Sequence, residues 1–255
     1  MDRIEQLATA FAVDVYAYSI MSNHFHLVVY YDPGAAHRWT DLEVARRWLR
    51  VCPPKQADGS IDEDLRDLQM STILSDRTRL SKLREKLGSV SYFMKFLKQP
   101  IARRANLEDD CKGHFFEQRF YSGALLTDEA VLAAMAYVDL NPVRAKIAQS
   151  IAEADHTSIH ARLMERHEPL DAYLQPLFAG VGAPPILAVT LNDYVESLEV
   201  LLPSRKPRWS QSKVRRWHQH VSSLQKPQRM FGSESAVRAW STARGWRLRE
   251  AALSG

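Results

Sequence analysis

Cysteine is scarce in this chain: Cys52 and Cys111 are the only two in 255 residues. Two thiols so far apart in sequence cannot form a disulfide framework or a cysteine metal site, and they are compatible with a reducing compartment. Long apolar runs are also missing. No stretch approaches the roughly 18–20 residues of a membrane span, and no charged-then-apolar leader opens the chain. The expectation is a cytoplasmic protein without membrane contact. Acidic residues are nearly absent from one region: residues 203 to 250 hold 12 Lys and Arg against Glu234 and Glu250. That region carries +10 and the remainder −6, within a total of +4. Trp209, Trp217, Trp240 and Trp246 stand among these arginines, a combination that serves phosphate attraction and base stacking on nucleic acids. A solvated basic tail, or a helical arm packing its tryptophans onto the body, fits the same composition.

What is present reads as a globular protein. The length suffices for one substantial core with material left for an arm, and a 25% charged, 45% hydrophobic composition is ordinary. Residues 12 to 21, "AVDVYAYSIM", alternate like a strand and would pair with 24 to 31 through a Ser22-Asn23 turn. Residues 36 to 88 are charged and helical in period, an inserted helical region interrupted at Pro53-Pro54 and Asp58-Gly59. "SVSYFMKFLKQPIARRANLE" predicts a helix with a break or kink at Pro100. A strand is expected at about 120 to 126. A helix follows, capped by Thr127 or Asp128, running to about 140 and stopped by Pro142. Prolines 184, 185 and 203 mark a linker. The expected organisation is a core over 1–160, a connecting region over 161–202 and a basic arm over 203–255.

The stretch "SNHFHLVVY" places two imidazoles one residue apart. Side chains at i and i+2 of a strand share a face, so His24 and His26 project together. Neutral imidazoles at fixed spacing are two parts of a divalent-metal site, or they are simply polar groups on an exposed face. In "DEAVLAAMAYVDLNPV", Val131, Met135 and Val138 form the natural core stripe of a helix. Tyr137 and Asn141 share a neighbouring face with Ala130 and Ala134. An asparagine oxygen completes a His-His-Asn donor set, with the tyrosine hydroxyl one turn away. Taken alone, Tyr137 is more often a boundary core residue and Asn141 a helix C-cap.

The ordered trio "AYSIMSNHFHLVV", "KGHFFEQRFYSGALL" and "AYVDLNPVRAKI" resembles the single-tyrosine HUH transposases, in particular the REP-associated tyrosine transposases of the IS200-like group, over about residues 12 to 160. The resemblance implies an α+β, ferredoxin-like HUH-endonuclease core, an antiparallel sheet with helices on one face. It implies that His24, His26 and Asn141 bind Mg²⁺ or Mn²⁺ and that Tyr137 is the nucleophile. Single-stranded or hairpin DNA would be cut and rejoined through a 5′-phosphotyrosine, by a protein for which a homodimer is allowed. Lys98, Gln99, Gln118 and Arg119 are candidate substrate contacts. Arg205, Lys206, Arg208, Arg215 and Arg216 of the basic region are candidate DNA contacts as well.

The family core opens with a strand and helix, and only "DRIEQLATAF" precedes residue 12. The first strand is therefore expected to be missing, which leaves β-sheet backbone groups for another segment or a partner to satisfy. Two other function classes are weighed beside the transposase. One is an inactive, truncated relative that only binds DNA. The other is a His-x-His metal-dependent hydrolase, which needs further strand-end histidines that the sequence does not supply.

Overall fold

The computed structural model describes residues 2–117, 119–181, 187–202, 209–225 and 229–244. The fold is α+β and mostly helical: twelve α-helices, a two-stranded antiparallel hairpin sheet and a two-stranded parallel sheet among the described residues. No described helix is long and apolar enough to cross a membrane. The chain divides into two compact units, residues 1–15, 29–120 and 178–184 in one, and 16–28, 121–177 and 185–255 in the other. The hairpin strands β1 (Val13–Ile20) and β2 (Phe25–Tyr31) contribute residues to both.

The first unit holds α1 (Asp2–Ala8), α2 (Ala35–Arg38), α3 (Asp41–Val51), α4 (Glu63–Ser75), α5 (Arg77–Leu87) and α6 (Val90–Glu108). Side-chain caps start these helices as the sequence dictates: Thr40, Asp62, Asp76 and Ser89 each accept a hydrogen bond from a first-turn N–H of α3, α4, α5 and α6. Leu7, Phe11, Leu49, Ile73, Leu87 and Phe93 form the buried interior, with Phe11 edge-on to Phe93 at 5.7 Å. The break expected at Pro100 does not occur, because α6 runs through it. Proline removes the hydrogen bond to the carbonyl four residues back, and here that carbonyl, Phe96 O, accepts from Arg3 Nη2 at 3.4 Å.

Asp14 and Gly180 fasten the two ends of this unit. The Asp14 carboxylate, fully buried, accepts from the Gly180 N–H at 2.5 Å and the Val181 N–H at 2.9 Å. A Cβ at Gly180 would collide with the carbonyl oxygens of Ala8 and Phe11, so only glycine fits. Beside it, Val15 exchanges backbone hydrogen bonds with Phe178 at 2.8 and 3.3 Å.

The second unit holds β3 (Ala124–Leu125), α7 (Asp128–Asp139), α8 (Asn141–Arg144), α9 (Ser158–His160), α10 (Leu191–Glu199), α11 (Gln211–Ser223), β4 (Met230–Phe231) and α12 (Glu234–Ala243). Its core joins Tyr16 and Val28 to Met135, Val138, Leu140, Ile159, Leu174, Tyr194, Leu198 and Val221. Residues 161–202 and α11 therefore supply buried side chains. The Ile20 N–H donates to His156 O at 3.0 Å and the Tyr18 N–H to the Ser158 hydroxyl at 3.1 Å. With the Val15–Phe178 pair, later chain satisfies β1 backbone groups that the expectation of a missing strand left open.

The strand expected at 120–126 shrinks to Ala124–Leu125, and it pairs in parallel with Met230–Phe231. Tyr121 is 64% exposed, and Gly123 lacks a side chain with which to pack against a neighbouring strand.

Candidate functional site

A short turn positions the histidine pair. The Met21 N–H donates to His24 O at 2.8 Å, closing the turn so that His24 immediately precedes β2 and His26 is its second residue. His24 is therefore one step outside the strand that the sequence predicts, yet the two rings still meet edge-to-face with centroids 5.0 Å apart. His24 Nδ1 lies 2.6 Å from Asn23 Oδ1. A bond to a carbonyl oxygen requires the proton on Nδ1, which leaves the lone pair on Nε2. His26 is half-buried, and burial first, then the neighbouring His24, lower its pKa below the ordinary imidazole value. The neutral ring is the form that ligates metals.

The second half of the site comes from α7. Thr127 caps it by accepting from the Ala130 N–H, and Met135 and Val138 are buried as the stripe predicts, while Val131 is only partly covered. Tyr137 is half-buried at the edge of that core. Its ring stands edge-on to His26 with centroids 5.6 Å apart. The sequence-distant pair and the tyrosine thus form one continuous row of rings.

Leu140 keeps helical backbone angles between α7 and α8, and the hydrogen bonds from Leu140 N–H to Ala136 O and Arg144 N–H to Leu140 O carry the helical path onward. Asn141, half-buried, opens α8. Arg144, seven residues after Tyr137, places its guanidinium carbon 5.8 Å from the centre of the tyrosine ring. Burial lowers the Arg144 pKa and the tyrosine opposes that effect, and the guanidinium stays charged regardless. Sequence reasoning passed over Arg144, although the spacing of four and then seven residues from Tyr137 is the helical signal that finds it.

The chain matches no protein-family model, no curated protein and no solved structure.

Asp139, two residues past Tyr137, is a second residue that the sequence did not reveal. It is fully buried and accepts from Ser158 Oγ at 2.5 Å, the Tyr194 hydroxyl at 2.6 Å and the Ile159 N–H at 3.0 Å. Burial pushes its carboxyl pKa up, while these three bonds and nearby Arg162 pull it down less strongly. Burial and Asp139 together raise the Tyr194 hydroxyl well above its ordinary value. Arg162, also buried, bonds Glu168 at 2.7 Å, Gln175 O at 2.7 Å and Tyr16 O at 3.2 Å. This network ties the C-terminal end of α7 to α9 and α10, and so fixes the helix end that carries Tyr137.

The remaining candidates lie elsewhere. Lys98 and Gln99 are on α6 in the first unit, where Lys98 Nζ sits 4.1 Å from the Phe116 ring centre. Arg119 is exposed in the same unit. Arg215 and Arg216 are exposed on α11 of the second unit. Gln118, Arg205, Lys206 and Arg208 fall outside the described residues.

Proposed function

We propose that this protein is an HUH-type single-strand DNA transposase or endonuclease that cuts and rejoins DNA through Tyr137. The observation that carries the reading is the row of rings from His24 through His26 to Tyr137, with centroid spacings of 5.0 and 5.6 Å. It sets His24 and His26, two of the three residues that the resemblance assigns to metal binding, beside Tyr137, which it assigns to nucleophilic attack. On this reading the core is a reduced relative of the ferredoxin-like HUH fold.

The donor set fits a divalent cation on its chemistry. His24 offers Nε2 because Asn23 holds the Nδ1 proton, His26 is kept neutral by burial, and Asn141 adds an amide oxygen. These three residues would hold Mg²⁺ or Mn²⁺, which when bound polarises a phosphate oxygen and offsets transition-state charge.

The chain's own residues do the rest. Tyr137 Oη attacks the scissile phosphorus, forming a 5′-phosphotyrosine as the P–O3′ bond breaks and the 3′-oxygen leaves as a hydroxyl. The cationic Arg144 beside the ring offsets the negative charge of the phosphate that becomes bonded to Tyr137. A different 3′-hydroxyl later attacks the phosphotyrosine and restores Tyr137, so rejoining consumes no nucleotide. The Asp139 network keeps the nucleophile's helix end fixed relative to the core.

The test is covalent. Labelled single-stranded hairpin DNA incubated with the full chain and Mg²⁺ should yield a denaturant-resistant protein–DNA adduct, and Tyr137→Phe should yield none. An adduct that persists in Tyr137→Phe would move the nucleophile to another residue, Tyr121 first. No adduct from the parent would leave a DNA-binding protein without this chemistry.

A further inference from the structure

A concave site lies in the same unit, between α7 and α11. It is a cavity of about 120 Å³ with Leu132, Trp209 and Trp217 in its wall. The two indole rings stand 6.4 Å apart at 66°. Each is oriented by its own N–H: Trp217 Nε1 donates to Ser197 O at 2.9 Å and Trp209 Nε1 to Glu196 Oε2 at 3.4 Å. The indole donors are thus committed to the protein, and what the rings offer a ligand is aromatic surface.

Size and charge narrow the ligand. Drug-sized ligands occupy about 300–1,000 Å³, whereas a cavity of roughly 150 Å³ takes a single benzene ring. This cavity therefore suits one six-membered ring. Lys213 and Arg216 also line it, with Lys213 Nζ 3.9 Å from the Trp209 ring centre, which is the pairing of cation and stacking surface that holds one nucleotide of a single strand. The carboxylate in the lining, Glu129, is an acceptor without a donor of its own. Among single-ring bases, cytosine presents an N4 amine to such an acceptor, while thymine presents a carbonyl at the same position.

We propose that this pocket binds one cytosine of single-stranded DNA, its ring against Trp209 and Trp217, its amine on Glu129 and its phosphate toward Lys213 and Arg216. The choice of DNA as the polymer rests on the transposase reading; the pocket's preference for cytosine does not.

The experiment measures fluorescence anisotropy of the full chain carrying Tyr137→Phe, which prevents cleavage, with labelled oligo-dC and oligo-dT of equal length at neutral pH. Oligo-dC should bind about tenfold tighter. Glu129→Ala, at an exposed position, should bring the dC-to-dT ratio close to one; the ratio is the readout because removing a negative charge raises affinity for any DNA. Trp209→Ala should lower oligo-dC affinity about tenfold. Equal affinities in the parent, or a dC preference that survives Glu129→Ala, overturns the proposal. The hairpin adduct is scored separately. An adduct without dC preference removes the pocket and keeps the nuclease, and dC preference without an adduct does the reverse.

Discussion

At the scale of single residues, the proposed chemistry is tested by removing atoms whose loss leaves the packing in place. Tyr137→Phe keeps the ring that faces His26, so hairpin affinity should stay within about threefold while covalent capture is lost. His26→Ala removes one of two imidazoles, and Mn²⁺ affinity measured by calorimetry should fall together with cleavage, by about 10–100-fold or more. Arg144→Ala should lower the rate of adduct formation while leaving the metal titration as in the parent. A metal affinity reduced as much as the rate would show that Arg144 shapes the site and does not act on the phosphate. That His24 and His26 lie side by side was legible from spacing because an i, i+2 relation is local. Arg144 was as local, and was missed only because an arginine on a helix usually points to solvent.

At the scale of elements, α7 is held by polar bonds inside a core, which makes Asp139 a sharp test. Asp139→Ala leaves Ser158, the Ile159 N–H and Tyr194 without their acceptor and should cost about 3–5 kcal/mol in denaturant unfolding. Asp139→Asn, which keeps one oxygen, should cost less. The raised carboxyl pKa gives a sign as well. Folding favours the protonated form, so stability should decline as pH climbs from the ordinary carboxylate value through the raised one, and Asp139→Asn should flatten that decline. The hairpin and α7 could be read from the sequence because alternation, turn residues and a threonine cap act within a few residues. The Asp139 partners lie 19 and 55 residues away, and no local pattern signals them. The same holds for Phe96 O, whose rescue by Arg3 keeps α6 whole across Pro100, and for Ala124–Leu125, whose partner strand lies in the C-terminal region.

At the scale of the whole molecule, charge separation along the chain governs how binding responds to salt. Exposed Arg215 and Arg216 on α11 sit within the +10 region. Replacing both with serine should reduce the slope of log affinity against log salt by about 0.7 for each single-strand phosphate that they neutralise. An unchanged slope would show that these cations do not reach DNA. Deleting the region outright is a poorer test, because Val221 of α11 belongs to the core of its unit and Trp217 packs against that core. The connection of β1 to later chain has a consequence in time. The hairpin closes from neighbouring residues within microseconds, but Tyr18 waits for Ser158, 140 residues on, and Asp14 waits for Gly180, 166 residues on. At a synthesis rate of roughly 5–20 residues per second, the emerging β1 goes without these partners for about 7–30 s. Throughout that interval the hairpin exposes the open edge of β1 to neighbouring chains on the polysome, and a chaperone that shields strand edges should raise the yield of folded protein.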